Sequence, residues 1–263
     1  MKQYIADAFA DKLFSGNPAA ILPCKQFPSA EMMQKIAIEN NYSETAFVVK
    51  TAADQYDLRW FTPGGEVDLC GHATLATAFI LSEFVDRGVS QMHFHTLSGE
   101  LAVQKNNDGF TMDFPLGKIM SIAVTDEIRV ATNNLAKAAW FDGGDLVVLA
   151  PDEKSVADFE PDGERIAKLD GLGLILSAPA DSEEYDFVSR CFYPKLNVLE
   201  DPVTGRAHTF LAPVWAEKLG KTKFKARQLS KRGGSLYVEL CGNRVILGGK
   251  AQLFMQGDIP FDF

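Results

Sequence analysis

One carboxyl group in this sequence sits where a carboxyl group is costly. Glu44 lies in Asn41-Tyr42-Ser43-Glu44-Thr45-Ala46-Phe47-Val48-Val49, a strand-like run in which a period of two places it with Tyr42, Ala46 and Val48 on an apolar face. A carboxyl group desolvated by such neighbours keeps its proton to higher pH, which suits it to take and return a proton near neutrality. A strand-end glutamate reaching solvent would read the same way, and the run alone supports both.

Two helix starts could hold the anion that such chemistry acts on. Cys70-Gly71-His72-Ala73-Thr74 opens a run to Val85 that is apolar nearly all round, as in a helix buried on most sides. Thr204-Gly205-Arg206-Ala207-His208 opens a second, ending at Gly220 and containing Pro213, which should kink it. Small residues at both starts let a ligand approach the free N–H groups of the first turn, or simply allow close helix packing. His72 could polarise a substrate or relay a proton, or be a satisfied cap residue; Asp201, before Pro202, could orient a partner or be a turn aspartate. Cys70, beside a helix start, could be a nucleophile or base. Its counterpart is Thr204, so a two-thiol epimerase lacks its second thiol and Cys70 reads as a packing residue.

The elements that must position these groups appear twice. Gly16–Pro23 (GNPAAILP) recurs as Gly144–Pro151 (GDLVVLAP), an offset of 128 residues (151 − 23). Ile36-Ala37 recurs as Ile166-Ala167, Arg59–Pro63 as Arg190–Pro194, Cys70–Ala73 as Thr204–Ala207, and Leu97-Ser98 as Leu229-Ser230, always in the same order. The expected class is therefore α+β: two duplicated halves related by a pseudo-twofold axis, each a buried central helix wrapped by mostly antiparallel strands. The N-terminal half, 1–117, carries the acid/base, and the C-terminal half is 118–263, whose last strand could pack on the first half. The two helix starts could then meet in a cleft that fits a small carboxylate. In the first half Ser29 is placed to cap a helix running to about Asn40. The repeat also bears on Glu44: its counterpart, Leu174, falls in an apolar run, so the fold does not require an acid there.

Composition excludes other classes. The 263 residues are 46% hydrophobic and 23% charged, as in an ordinary globular protein, and 19 Phe favour sheet-rich packing. A net charge of −9 opposes binding to nucleic acid or an anionic membrane. The N-terminus lacks an apolar leader region and no run is long enough to span a bilayer, so a cytoplasmic location is expected. Cys24, Cys70, Cys191 and Cys241 form no CxxC pair, and His93 with His95 lacks further ligands at metal spacing, so no metal is expected. Gly248-Gly249-Lys250-Ala251 fails as a phosphate loop, and no cofactor motif is present. Basic residues alternate with others from Lys221 to Arg227, as on a solvated strand.

Taken together, Asp7-Ala8-Phe9 with Gly16-Asn17-Pro18-Ala19-Ala20, Ser43-Glu44-Thr45-Ala46-Phe47, Phe61-Thr62-Pro63 with Cys70-Gly71-His72-Ala73-Thr74, and Glu200-Asp201-Pro202-Val203-Thr204-Gly205 resemble the phenazine-biosynthesis PhzF-like family over nearly the whole chain. That family's fold is similar to diaminopimelate epimerase, which implies two similar halves, each a mostly antiparallel, barrel-like sheet around a central helix. The resemblance implies a homodimeric, cofactor-independent isomerase that shifts a proton within a dihydro-hydroxyanthranilate ring, with Glu44 as acid/base and His72 and Asp201 lining the pocket. Ser43, Gly71, Ala73, Thr204, Gly205 and Arg206 are the expected substrate-binding positions. Arg206 departs from the small residue expected there; it could clamp a second carboxylate or block part of the pocket.

Overall fold

The computed structural model describes residues 1–260, and in it local chemistry starts and stops the helices where the sequence provides for it. Ser29 accepts a hydrogen bond from Met32 N at 3.2 Å and opens α1 (Ala30–Asn40), which Asn41 closes in the left-handed conformation. Helix α2 (Gly71–Ile80) buries every residue from His72 to Ala78. Instead of running on as an α-helix to Val85, α2 passes into a π-helical turn, Leu81–Val85, closed by Asp86 N–H to Leu81 O at 2.7 Å.

By its contacts the chain divides into two units, Met1–Asp113 with the chain from Gly248 onward, and Phe114–Leu247. In the first, strands β1 (Lys2–Ala8), β2 (Asn17–Cys24), β3 (Glu44–Lys50), β4 (Gln55–Thr62), β5 (Gly65–Val67), β6 (Gln91–Thr96), β7 (Gly99–Asn106) and β8 (Gly109–Pro115) form the sheet. The last strand of the chain, Ala251–Asp258, belongs here because it pairs antiparallel with β1, which pairs antiparallel with β2 on its other edge. The β2–β3 and β4–β6 pairs are parallel, since α1 and α2 carry the chain back across the sheet; β3–β4, β6–β7 and β7–β8 are antiparallel. Met33, Ile36 and Ala37 of α1 pack on Ile5, Ala20, Leu22, Phe47 and Phe61. Helix α2 packs against β1, β2, β3 and the last strand.

In the second unit the strands are β9 (Met120–Ile122), β10 (Ala138–Phe141), β11 (Asp145–Leu149), β12 (Gly173–Pro179), β13 (Phe187–Tyr193), β14 (Val198–Asp201), β15 (Lys223–Gln228), β16 (Gly234–Cys241) and β17 (Arg244–Gly249). The helices are α3 (Asp126–Ala131), α4 (Glu153–Ala157), α5 (Gly163–Ala167) and α6 (Gly205–Leu219). Pairing is parallel for β11–β12 and β13–β15, the chain crossing over through α4 with α5 and through α6, and antiparallel for β12–β13 and β15–β16. In each unit the sheet is therefore mixed, the parallel pairs falling at its helical crossovers. Trp215 of α6 stacks on Phe187 at 5.3 Å and donates to Ser177 Oγ at 3.0 Å. Among the described residues no helix is long and apolar enough to cross a membrane.

Pro213 sits inside α6 and cannot supply an N–H to the carbonyl of Thr209. Gly117 N–H takes that carbonyl at 3.3 Å, so α6 runs on to Gly220 without leaving the oxygen bare. Only glycine allows this approach, because a Cβ at 117 would lie 2.1 Å from the Phe210 ring. Gly117→Ala should lower the unfolding free energy by about 1–3 kcal/mol in urea titrations, and adding Phe210→Leu should recover part of the loss.

Candidate active site

Asn41, in its left-handed turn, donates its N–H to Ala37 O and ends α1 just ahead of β3. Because β3 begins only at Glu44, the alternation does not reach back to Tyr42, which packs with the α1 cluster instead of sharing the face of Glu44. Ser43 is half-buried in the connecting bend. The Glu44 side chain is 16% exposed, and its Oε2 lies 2.9 Å from His72 Nε2. Neither atom has another hydrogen-bond partner among the described residues. Their contact is one of charges.

His72 is the second residue of α2 and is buried. Its other nitrogen, Nδ1, faces Asn17 Nδ2 at 3.3 Å and Cys70 Sγ at 3.6 Å. Asn17 is set by Gly16, which has a φ of +73° and no room for a side chain, since a Cβ there would lie 2.2 Å from Ala8 O. Burial opposes a charged imidazole, but the Glu44 carboxylate beside it favours one, and the pKa of His72 is held well above its usual value. Burial first, then the Glu44 charge, push the Cys70 thiol up, so Cys70 stays protonated at neutral pH. Ligand atoms of Glu44, Cys70 and His72 lie within 4.8 Å of one another, a cluster that sequence spacing does not single out. Glu44 faces Nε2 and Cys70 faces Nδ1, so a single ion could not take both and one imidazole nitrogen without rearrangement.

A second feature of α2 is what its first turn lacks. Ser29, Thr125, Asp152 and Asp162 cap α1, α3, α4 and α5 with their side chains, whereas Cys70 makes no such bond at α2 and Thr204 none at α6. The N–H groups around Gly71 and Ala73, and around Gly205, therefore have no side-chain cap.

In the second unit, the Thr204 hydroxyl donates to Asp201, and the buried Gln228 accepts from Thr204 N at 2.9 Å while donating to Asp201 O at 2.8 Å. Gln228, on β15, is not evident from the sequence, because nothing local marks its reach to a turn far upstream. Arg206 donates to Asp145 at 2.8 Å, lies 3.6 Å from Asp142 and sits over the Phe210 ring. Its charge is thus matched by carboxylates of its own unit. Asp145 is buried, which raises its pKa against the opposing pull of Arg206. His208 donates its Nδ1–H to Thr204 O at 2.8 Å, and burial lowers its pKa to about 4, so it is neutral. His93 pairs with Glu100 at 2.9 Å at the surface.

Residues 6–257 match the family model described as phenazine biosynthesis-like protein. An uncharacterized isomerase of Pseudomonas aeruginosa is 47% identical over 253 residues, covering 96% of each chain. The crystal structure of a PhzF-family phenazine biosynthesis protein from Enterococcus faecalis superposes with a TM-score of 0.95 at 46% identity over 99% of each chain. A hydroxyproline epimerase from Agrobacterium vitis, 12% identical, has a TM-score of 0.60 over 98% of this chain and 91% of its own, a likeness of fold alone. The sheet-rich α+β fold, the Glu44 and His72 motifs and these matches along nearly all of its length have one source: the chain belongs to the phenazine biosynthesis-like protein family.

Proposed function

We propose that this protein is an isomerase that moves a proton within a small, carboxylate-bearing metabolite, with Glu44 taking the proton from one carbon and returning it to another. The observation that carries this reading is the mostly buried Glu44 carboxyl group held against His72 at the uncapped start of α2. The N–H groups of Gly71 and Ala73 would hold the substrate's carboxylate there, and His72 would stabilise negative charge as the proton leaves. Isomerase names among the relatives agree with the reaction class. Following the family resemblance, we assign supporting roles in the same reaction to Ser43, Asp201, Thr204 and Gly205, and a ring of the dihydro-hydroxyanthranilate type to the substrate. The scheme needs no cofactor. Because Arg206 is already paired with Asp145 and Asp142, we assign it to holding the start of α6 instead of a substrate carboxylate. We also read the two units as duplicated halves, supported by the same order of parallel and antiparallel pairings from β2 to β7 and from β11 to β16.

Proton NMR in D2O with trans-2,3-dihydro-3-hydroxyanthranilate tests the proposal. Wild type should isomerise it with deuterium uptake, and Glu44→Gln should be slower by roughly 10³-fold while keeping its fold. Equal turnover by both proteins would remove Glu44 from the reaction; no turnover by wild type would exclude this substrate.

The ion pair also has a pH signature. With the folded-state pKa of His72 above the usual 6.5, its contribution to stability is complete below that pH and is lost as pH rises through the raised folded value. Denaturant titrations should show the stability advantage of wild type over His72→Gln shrinking in that window, with a limiting slope of about 1.4 kcal/mol per pH unit. A pH-independent difference would mean that His72 is neutral in the folded protein.

A further inference from the structure

The same helix that starts at His72 ends at a cavity of a different character. Among the described residues of the first unit, a half-open groove of about 570 Å³ lies at the π-helical end of α2 and includes Lys2, Tyr4, Lys25, Phe84, Val85 and Arg87 in its lining. That volume is in the range of small-molecule pockets. The lining contains three cationic side chains and no carboxylate, in a chain with 35 acidic and 26 basic residues. None of the three cations has an ion-pair or hydrogen-bond partner for its side chain among the described residues. The acids near them are engaged or out of reach: Asp86 takes Lys50 and Tyr56, Glu83 takes Lys105, and Asp258, opposite Lys2 in the strand register, forms no ion pair with it.

Two aromatic rings stand beside Pro23, Cys24 and Val85 in the apolar part of the lining. Tyr4 and Phe84 approach at 5.9 Å between ring centres, and the π-helical turn is what carries Phe84 and the 45% exposed Val85 to this wall. Such turns are over-represented at functional sites. Unpaired cations beside an aromatic floor suit a flat ring that carries an anionic group. We propose that this groove is a second binding site, separate from Glu44 and His72, for a small aromatic anion bearing a carboxylate or phosphate. The residues between Gly71 and Phe84 put the two sites roughly 20 Å apart along the helix.

The test is titration of the ¹⁵N-labelled full chain with phenyl phosphate, with inorganic phosphate and benzoate as separate arms. Saturable shifts should appear at the amides of residues 2–4, 24–26 and 84–87, while those of residues 71–73 stay fixed. Lys25→Ala with Arg87→Ala, both exposed and remote from the core, should weaken binding at least tenfold without changing the rest of the spectrum. Benzoate saturating the same amides would identify a carboxylate as sufficient, and its failure beside phenyl phosphate would narrow the ligand to phosphates. Equal affinity for inorganic phosphate would overturn the role of the aromatic wall. Shifts confined to residues 71–73, shifts indifferent to the double substitution, or groove shifts that follow protein concentration without ligand would overturn the site, the last by showing a second copy of the chain there.

Discussion

A carboxyl group and an imidazole share one small buried volume at the start of α2, and much of the first unit is arranged to make that tolerable. Taking an ionised group out of water costs several kcal/mol, so each member needs the other, and the other nitrogen of the imidazole needs a polar neighbour of its own. The neighbours come from the chain on either side: Cys70 directly before α2, and Asn17 at the start of β2. Glycine at 16 follows from the close approach of Ala8 O, and it brings Asn17 into reach. Burial itself is imposed by α2, whose residues from His72 to Ala78 leave no face for solvent. The pair therefore inherits its low-dielectric surroundings from helix packing, and the same surroundings strengthen the attraction that offsets its desolvation.

The second unit answers a similar problem with different chemistry. The alignment of GNPAAILP with GDLVVLAP sets Asp145 against Asn17, and that of CGHA with TGRA sets Arg206 against His72. In each unit the two residues meet, at 3.3 Å in the first and 2.8 Å in the second. Imidazole can gain and lose a proton near neutrality, whereas guanidinium keeps its charge throughout. A carboxylate facing Arg206 is thus fixed in an ion pair, and a carboxyl group facing His72 has a partner whose own protonation can change. The proposed proton chemistry suits the first arrangement, and a rigid helix start the second.

Local chemistry was legible in the sequence wherever neighbours along the chain decide it. Ser29 capping α1, Gly220 ending α6 and the basic alternation now seen in β15 all follow from residues a few positions apart. The candidate catalytic carboxyl was legible too, since an acid in an apolar run stands out. Its surroundings were not. Tyr42 dropped out of the expected face because the bend after Asn41 delays β3 to Glu44, a backbone event that side-chain periodicity does not encode. The parallel strand pairs and the partners Asn17, Asp145 and Gln228 depend on contacts between distant segments, and a buried hydrogen bond such as that of Gln228 leaves no mark on its own strand. The π-helical end of α2 escaped because its residues are ordinary helix formers.

Under the proposed proton shift, the inventory of ionisable groups also constrains the geometry of the reaction. An epimerase that inverts a carbon needs one group to remove a proton from one face and another to deliver it to the opposite face. Cys70 could in principle serve as one of a thiol pair, but burial and the Glu44 charge keep it protonated, and the position aligned with it is Thr204, whose hydroxyl is committed to Asp201. A single carboxyl group that both takes and returns the proton can reach only one face of its substrate. The shift it performs must then be suprafacial, between carbons that present their hydrogens to the same side, and the proton that returns can be the one that left when exchange with water is slower than the return. A flat ring with hydrogens on neighbouring conjugated positions satisfies that constraint, and a free amino acid undergoing inversion at its α-carbon does not.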